Sequence, residues 1–415
     1  MHFVDSGSVS GSVLEKAVSL DARDRDGRGR PLRIALVTET WHPAVDGIVT
    51  RLTWTVHELR CRGHEVLVIA PRSRTQPIGS IDRLPAGLLL NEVFSLGLPM
   101  IYGGKPWGLP LPAVSRHLDR FEPDVVHAVG PFCLGRAAVR HAVRNDLALV
   151  CSYHTHIASY ARFYGFGIAE NAILGSLRRL HLQADVNLAA STAARHHLEA
   201  IGVHDVNVWE GGVNLSIFHP MRGSTGMRKR ITRGHADRTV VVYVGRLAAE
   251  KGISRLLPLL QARSDVHLVL VGDGPHRLAL EELFRGKNVT FLGLLSQEKL
   301  AEVLASSDVF AFPSTTDTLG LVVLEAMASG LPVLLADSQA NRDLVSGTTA
   351  GVIFDPAEPF EIVPALDAIL AIGQRRSELA SAARRRFPTW SRTTDQLLGW
   401  YRAVLRHRQA RSLAT

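Results

Sequence analysis

Residues 308–337, DVFAFPSTTDTLGLVVLEAMASGLPVLLAD, decide the fold because two apolar runs of strand length flank one run of helix length. The runs at 309–314 and 332–337 are apolar without alternation, which is typical of strands that are buried on both faces of a parallel sheet. The segment between them is predicted to be a helix that ends at Gly330, with Pro332 just beyond it. Residues 308–337 therefore predict a strand, a helix and a second, parallel strand.

The same alternation of strand-length and helix-length segments runs through the rest of the chain, and the basic stretch 222–238 divides it into two halves. The predicted strands are 33–39, 65–71, 124–129, 147–154, 186–191 and 206–212 in the first half, and 240–246, 266–274, 289–293, 309–314, 332–337 and 351–355 in the second. This pattern predicts an α/β fold of two Rossmann-like, doubly wound parallel-sheet domains that face each other across a cleft. The expected segments are a flexible polar leader (1–31), an N-terminal domain (32–221), a linker (222–238), a C-terminal domain (239–386) and a C-terminal helix (387–415).

Composition excludes several classes of protein. With 46% hydrophobic and 21% charged residues among 415, the chain can bury a full core. It has no run of eighteen apolar residues, so no membrane-spanning helix is expected, and its start lacks the features of a signal peptide. The three cysteines, Cys61, Cys133 and Cys151, are scattered, which favours the reducing cytoplasm and argues against a zinc site.

The net charge of +8 is concentrated at the C-terminus. Residues 374–415 contain ten arginines against Glu378 and Asp395. Neither this tail nor the basic stretch 222–238 has interleaved aromatic residues or a nucleic-acid-binding motif, so no nucleic-acid partner is expected. Two interpretations of the tail remain: a solvated helix face, or a contact with anionic lipid headgroups that would hold a cytoplasmic protein on the inner face of the membrane.

The loops after the predicted strands indicate where a ligand binds, because ligands of such sheets lie beyond the carboxyl ends of the strands. Arg246 and Lys251 flank the end of strand 240–246, and the segment after Arg246 is predicted to be a helix. A phosphate at this point would meet two cations and helix-terminal N–H groups. The alternative is that both are surface charges, one of them paired with Glu250.

The opening stretch adds two carboxylates to this edge of the sheet. Asp317 precedes the predicted helix and Glu325 lies about two turns into it, with the N–H groups of Thr318, Leu319 and Gly320 between them. Carboxylates suit the paired hydroxyls of sugars, and free N–H groups suit phosphate. The order indicates a site for a sugar, a phosphate and a ribose, whereas the alternative is a helix cap and one solvated glutamate. A G-x-G-x-x-G fingerprint is missing, which argues against a dehydrogenase.

Five stretches carry a family resemblance: TETWHPAVDGIVTRL (38–52), DVVHAVGP (124–131), SYHTHIASYARFYG (152–165), VYVGRLAAEKG (242–252) and PSTTDTLGLVVLEAMASGLPV (313–333). Over residues 32–405 the chain resembles the retaining glycosyltransferases of family 4, which have the GT-B fold. Within that family it is similar to bacterial GDP-mannose-dependent α-mannosyltransferases and sulfoquinovosyl-diacylglycerol synthases. The resemblance implies an acceptor-binding first domain, a nucleotide-sugar-binding second domain and a C-terminal helix that crosses back to the first.

The resemblance also implies roles for individual residues. Arg246 and Lys251 would neutralise the donor's diphosphate, so that neither a metal nor a cofactor is required beyond the nucleotide diphosphate sugar. Asp317 would hold hydroxyls of the transferred sugar, and His154 would approach the C6 side of that sugar. The other donor-binding residues would be Gly47, Ser314, Thr318, Leu319, Gly320 and Glu325, the last of these at the ribose; the residues expected in the cleft on the acceptor side are His127, Tyr102 and Trp107.

Two departures from the family pattern bear on the substrate. Asp317 stands where the family has glutamate, and Glu210, Gly211 and Asn214 stand where relatives have an arginine and an aspartate. The prediction is transfer of a hexose, with GDP-mannose as donor, to a lipid or small-molecule acceptor hydroxyl. The alternatives are a UDP-sugar-dependent transferase, a nucleotide-sugar epimerase and a non-catalytic nucleotide-sugar-binding protein.

Overall fold

Two parallel β-sheets organise the protein in the computed structural model, which describes residues 30–44, 46–73, 88–97, 106–108, 112–154, 170–372 and 376–414. The strands of the first sheet are β1 Arg33–Thr38, β2 Glu65–Pro71, β3 Leu89–Val93, β6 Val125–Val129, β7 Ala148–Tyr153, β8 Val186–Ala189 and β9 Val206–Val208. They lie in the order β3-β2-β1-β6-β7-β8-β9, and every neighbouring pair is parallel. The helices that accompany them are α1 Gly47–Cys61, α2 Ala113–Phe121, α3 Leu134–Arg144, α4 Glu170–His181 and α5 Thr192–Ala200.

The second sheet repeats this plan. Its strands are β10 Thr239–Val244, β11 Val266–Val271, β12 Val289–Gly293, β13 Val309–Phe312, β14 Val333–Ala336 and β15 Gly351–Phe354, in the order β12-β11-β10-β13-β14-β15. All of its strand pairs are parallel. The helices are α6 Thr225–Ile231, α7 Leu257–Ala262, α8 Arg277–Leu283, α9 Gln297–Ala305, α10 Leu321–Ala328, α11 Gln339–Val345, α12 Ile362–Ile372, α13 Arg376–Arg386 and α14 Trp390–Ala414.

The strands are buried on both faces, as their unbroken apolar runs predict. In β1, Ile34 and Leu36 belong to one apolar cluster, whereas Ala35 and Val37 belong to a second cluster on the opposite face. This arrangement follows from the two-residue period of a strand, which turns successive side chains to opposite faces. The predicted two-domain α/β fold is confirmed.

All twelve predicted strands are present, and the differences lie between them. The edge strand β3 was not predicted, and neither was the antiparallel pair β4 Ser95–Gly97 and β5 Pro106–Gly108. The helix expected directly after Arg246 is wrong. Two 3₁₀ turns, Ala249–Lys251 and Ile253–Leu256, stand there instead, because Gly252 between them has a φ of 63° that interrupts a right-handed helix.

The chain passes between the domains twice, and the two crossings are joined to each other. The backbone N–H of Val213, on the outward crossing, donates to the carbonyl of Pro388 on the return. Gly212 lies so close to Trp390 that an added Cβ would be 2.6 Å from the Trp390 nitrogen. The segment 222–238, expected to link the domains, contains α6, which buries Met227 and Ile231 in the core of the second domain.

Helix α14 crosses back to the first domain, as expected. Its buried face adds apolar side chains to the core on one side of the first sheet: Leu397, Leu398, Trp400, Tyr401 and Val404. Arg62, directly after α1, binds Asp395 of α14 at 2.8 Å and fixes the helix from its exposed side. Among the residues described, no helix has the length and apolar character needed to cross a membrane.

Candidate active site

A cleft of about 320 Å³ lies between the two sheets, lined by the loops that leave their strands. Nine residues predicted from the sequence line it: Gly47, His154, Arg246, Lys251, Asp317, Thr318, Leu319, Gly320 and Glu325. Gly47 and His154 come from the first domain, and the others come from the second. The two halves of the predicted donor site therefore meet in one cavity, as expected for two doubly wound sheets that face each other.

Each predicted cation of the second domain has a carboxylate partner. Arg246 pairs with Glu250, whose side chain is 1% exposed, and Lys251 Nζ lies 2.6 Å from Asp317 Oδ1. The alternative drawn from the sequence was right about the Glu250 partner but wrong about a surface position, because the Arg246 side chain is only 16% exposed. Burial opposes the charge of Lys251, but the combined effect of Asp317, Tyr243 and Glu250 raises the pKa of Lys251 above its ordinary value.

Two carboxylates of the cleft retain capacity for a ligand. Asp317 Oδ2 is buried and has no hydrogen-bond partner among the described residues, although Oδ1 is bound to Lys251. Glu325 lies on the second turn of α10, where burial raises its pKa to about 8. A buried carboxyl group without a cation is costly to keep ionised. Hydroxyl donors from a sugar would satisfy both groups.

The loop before α10 also holds the domains together. Thr318 Oγ1 donates to the backbone carbonyl of His154 at 2.6 Å, across the cleft. Leu321 reaches two glycines of the first domain: an added Cβ would lie 3.8 Å from Leu321 at Gly47 and 2.3 Å from it at Gly211. Absence of a side chain at Gly211 is thus what lets the loop approach. The structure shows a closed contact between the two sets of predicted residues.

His154 directly follows β7 and packs against an aromatic and a polar side chain. Its Nε2 lies 2.8 Å from Ser152 Oγ, and its ring meets Trp209 edge to face at 5.6 Å between centroids. Burial, and then the charge of Arg51, lowers the pKa of His154 well below its ordinary value. The imidazole is therefore neutral, and Nδ1 is the ring nitrogen without a hydrogen-bond partner in the described part of the chain.

The sequence agrees with two family models, Glycosyltransferase Family 4 over residues 45–217 and Glycosyl transferases group 1 over residues 228–386. A GDP-mannose-dependent alpha-mannosyltransferase of Mycolicibacterium smegmatis is 37% identical, over 92% of this chain and 100% of its own length. The chain belongs to the glycosyltransferases of family 4. The Arabidopsis thaliana sulfoquinovosyl transferase SQD2 is 32% identical over 89% of this chain and 73% of its own length.

Solved structures confirm the GT-B fold of this glycosyltransferase. The sucrose-phosphate synthase of Thermosynechococcus elongatus superposes with a TM-score of 0.73, at 20% identity, over 90% of this chain and 99% of its own. Anabaena HepE in complex with UDP and glucose superposes with a TM-score of 0.69, also at 20% identity, over 88% of this chain and 98% of its own. Both show two Rossmann-like domains to be the architecture that this chain shares.

Four predicted residues of the glycosyltransferase lie elsewhere or cannot be placed. Ser314 is 1% exposed and does not line the cleft; its carbonyl accepts from Asn341 Nδ2 at 3.0 Å, so it supports the loop from behind. His127 is wrong as a cleft residue, because it is fully buried on the central strand β6. Tyr102 lies outside the described residues, and so does the side chain of Trp107, whose backbone belongs to β5.

Arg51 is a charged lining residue that the sequence interpretation missed. It sits on α1 one turn after Gly47, is 2% exposed, and donates from Nη1 to the carbonyl of Trp209 at 2.7 Å. Its buried Nη2 has no hydrogen-bond partner among the described residues, and burial lowers the pKa of Arg51 to about 9. The signal in the sequence was the departure from the family pattern at Glu210, Gly211 and Asn214, because a Cβ at Gly211 would be 3.4 Å from Arg51 Nη2. The guanidinium enters the same space from α1.

Proposed function

We propose that this glycosyltransferase moves mannose from GDP-mannose to a hydroxyl group of a lipid or small-molecule acceptor, with retention of configuration at the anomeric carbon. The observation that carries the proposal is the hydrogen bond from Thr318 to the His154 carbonyl, which brings the predicted sugar-binding and nucleotide-binding residues together. The Mycolicibacterium smegmatis relative, a GDP-mannose-dependent alpha-mannosyltransferase, supports the choice of donor.

The diphosphate would lie between the domains. Arg246 and Lys251 face it from the second domain, and the N-terminus of α1 at Gly47 faces it from the first. Arg51 adds a buried positive charge on the first-domain side. These groups supply the charge neutralisation for which other enzymes that release a nucleoside diphosphate use a metal ion, which is why we propose metal-independent transfer.

The ribose and the transferred sugar would each bind at one of the two carboxylates. Glu325 accepts hydrogen bonds from the ribose hydroxyls, while the unpartnered Asp317 Oδ2 accepts from hydroxyls of the transferred mannose. His154 meets the mannose from the opposite wall of the cleft. Asp317 is one methylene shorter than the usual glutamate, and Lys251 fixes its position at 2.6 Å.

In the reaction, the bond between the anomeric carbon and the leaving phosphate oxygen breaks, and a bond to the acceptor oxygen forms on the same face of the sugar. The acceptor's proton passes to the leaving phosphate oxygen, so no side chain acts as a covalent nucleophile. Negative charge grows on the diphosphate as the first bond breaks. Arg246, Lys251 and the helix N-terminus therefore stabilise the transition state more than the bound donor.

The arginine-rich C-terminal segment would place the enzyme at the cytoplasmic inner face of an anionic membrane, near a lipid acceptor. Part of that charge is used within the protein, since Arg408 binds Asp146 at 2.6 Å and Asp185 at 3.2 Å. Arg384 and Arg386 of α13 donate to backbone carbonyls, whereas the exposed Arg385 of α13 and Arg392 of α14 remain on the surface for headgroups.

Calorimetric titration of GDP, UDP and ADP, each with its mannose or glucose conjugate and with EDTA present, tests the donor. We expect GDP and GDP-mannose to bind and the others to bind at least ten-fold more weakly. Transfer of radiolabelled mannose to extracted lipids and to a panel of free polyols then tests the reaction. Preferred binding of UDP-sugars would show that the donor is a UDP-sugar and not GDP-mannose. Binding without transfer to any acceptor would favour a non-catalytic sugar-nucleotide-binding protein.

Glu325→Gln is expected to stabilise the free protein at high pH while weakening nucleotide binding. The pKa of Glu325 is raised from 4.5 to about 8, so the folded state holds a proton that the unfolded state loses within that window. Stability therefore falls as the pH rises from 4.5 to 8, and the glutamine variant avoids this loss. We expect a higher Tm than wild type at pH 8.5, a smaller difference at pH 5, and affinity for GDP lowered about 10-fold or more.

The exposed Glu358 of the second domain provides the matched control, because Glu358→Gln makes the same chemical change at a residue that does not line the cleft. Its Tm and its affinity for GDP should both equal those of wild type. An E325Q protein with wild-type affinity for GDP would remove Glu325 from the proposed ribose site.

A further inference from the structure

A chain of hydrogen bonds runs from the C-terminal helix to the cleft through the interior of the first domain. The Tyr401 hydroxyl lies 2.6 Å from His127 Nδ1, His127 Nε2 lies 2.8 Å from Ser152 Oγ, and that oxygen lies 2.8 Å from His154 Nε2. Tyr401 belongs to α14, His127 to β6 and Ser152 to β7. The chain ends at the one member that lines the cleft, His154.

All four groups are buried and uncharged. Tyr401, His127 and Ser152 are 0% exposed, and His154 is 6% exposed. Burial, followed by the charge of Arg51, lowers the pKa of His127 to about 3, and it lowers the pKa of His154 in the same way. Burial raises the pKa of Tyr401 well above its ordinary value. Each imidazole therefore carries a single proton, and its position is set by its hydrogen bonds.

The hydroxyl protons of Tyr401 and Ser152 decide which ring nitrogen of each histidine is protonated. Within the described structure His127 is the only hydrogen-bond partner of the Tyr401 hydroxyl, so the phenolic proton has one acceptor, Nδ1 of His127. His127 must then carry its own proton on Nε2 and donate it to Ser152 Oγ. Among the described residues, the Ser152 hydroxyl then has only His154 Nε2 left as an acceptor. Any other arrangement leaves a buried hydroxyl or N–H group without an acceptor, which is costly.

We propose that Tyr401, His127 and Ser152 are positioning residues that hold His154 in its Nδ1–H tautomer, so that His154 presents a hydrogen-bond donor to the transferred sugar. The tautomer follows from the hydrogen-bond chain alone. The identity of the acceptor atom, a hydroxyl oxygen of the hexose, rests on the proposed function. Since Nδ1 is protonated and Nε2 is occupied by Ser152, His154 cannot take a proton from the acceptor substrate.

The tautomer can be measured in the ligand-free protein. Histidine labelled with ¹⁵N on the ring gives different two-bond correlation patterns for the Nδ1–H and Nε2–H forms, and the His154 signals are assigned by their loss in His154→Gln. We expect the Nδ1–H pattern for His154 and the Nε2–H pattern for His127 in the wild-type protein. An Nε2–H pattern for His154 would overturn the proposal.

Two variants test the chain at different points. Tyr401→Phe removes the hydroxyl that fixes the direction of the hydrogen bonds. Ser152→Ala removes the hydroxyl that connects His127 with His154. Each variant should therefore give a mixture of His154 tautomers. Tyr153→Phe is the matched control, because it removes a buried hydroxyl from the residue between Ser152 and His154 and should leave the tautomer unchanged. If Tyr401→Phe fails to fold, Ser152→Ala carries the test; a wild-type pattern in both folded variants would contradict the proposal.

Binding separates this inference from the proposed function. Tyr401→Phe should weaken binding of GDP-mannose by about 3- to 10-fold, the effect of one hydrogen bond, and leave binding of GDP unchanged because GDP has no sugar to contact His154. Equal losses for both ligands would indicate a structural defect instead. If the wild-type protein binds neither ligand, the proposed donor is wrong, whereas the tautomer measurement still stands.

Discussion

Replacement of Lys251 by methionine is expected to lower kcat for mannosyl transfer by about 100- to 1,000-fold, the effect of removing one preorganised charge-stabilising group from an active site. Lys251 would face the leaving diphosphate, and its ammonium group also holds Asp317 at 2.6 Å. The variant removes a cation where negative charge develops and leaves the half-buried Asp317 carboxylate without its partner. Steady-state kinetics with GDP-mannose measures the loss.

Two further variants distinguish catalysis from folding. The double variant Lys251→Met/Asp317→Asn removes both charges, so we expect it to regain most of the Tm lost by Lys251→Met but none of the kcat. Lys287→Met makes the same substitution at an exposed position of the second domain and should keep wild-type activity. A kcat within three-fold of wild type for Lys251→Met would show that the lysine has no part in stabilising the leaving group.

Trp400→Ala is expected to destabilise the protein by about 3 to 5 kcal/mol, the usual cost of deleting a buried tryptophan side chain. Trp400 is 3% exposed and belongs to the core that α14 completes on the first sheet. Its loss would leave a cavity between the helix and the sheet. Urea unfolding followed by circular dichroism measures the difference in the free energy of unfolding.

The control lies on the same helix, where Gln409 is exposed. Gln409→Ala should change the free energy of unfolding by less than about 0.5 kcal/mol. A loss below about 1 kcal/mol in Trp400→Ala would mean that α14 adds little to the first domain's stability.

The fold could be predicted because its strands are buried on both faces. A short, continuous and β-branched run such as VVVYV, in β10, favours a strand that is covered on both faces. The edge strand β3 was missed for the converse reason. Its sequence LLNEV includes polar and partly exposed positions, and Leu89 is 49% exposed, so it lacks the pattern of a central strand.

The donor side of the site could be predicted because its residues are local in sequence. Asp317, Thr318, Gly320 and Glu325 fall within one loop and the helix after it, so their spacing alone placed them together. The pairing of Lys251 with Asp317 joins two such loops at neighbouring strands, β10 and β13.

The chain of hydrogen bonds from Tyr401 to His154 and the position of Arg51 could not be predicted in this way. Tyr401 and His127 are 274 positions apart, and Arg51 contacts the carbonyl of Trp209 across 158 positions. These contacts depend on how three layers pack, and no periodicity in the sequence reports them. A lone buried histidine such as His127 looks the same in the sequence whether it faces a ligand or another side chain.

Helix α14 has a consequence for the order in which the two domains complete their folding during synthesis. The first domain's strands leave the ribosome first, but the apolar side chains that cover one of their faces belong to residues 397–404, close to the end of the chain. Strands β10–β15 carry their own core and can fold while the helix is still being synthesised. The first domain is therefore completed after the second, and until residues 397–404 are made, one face of its sheet lacks its apolar cover.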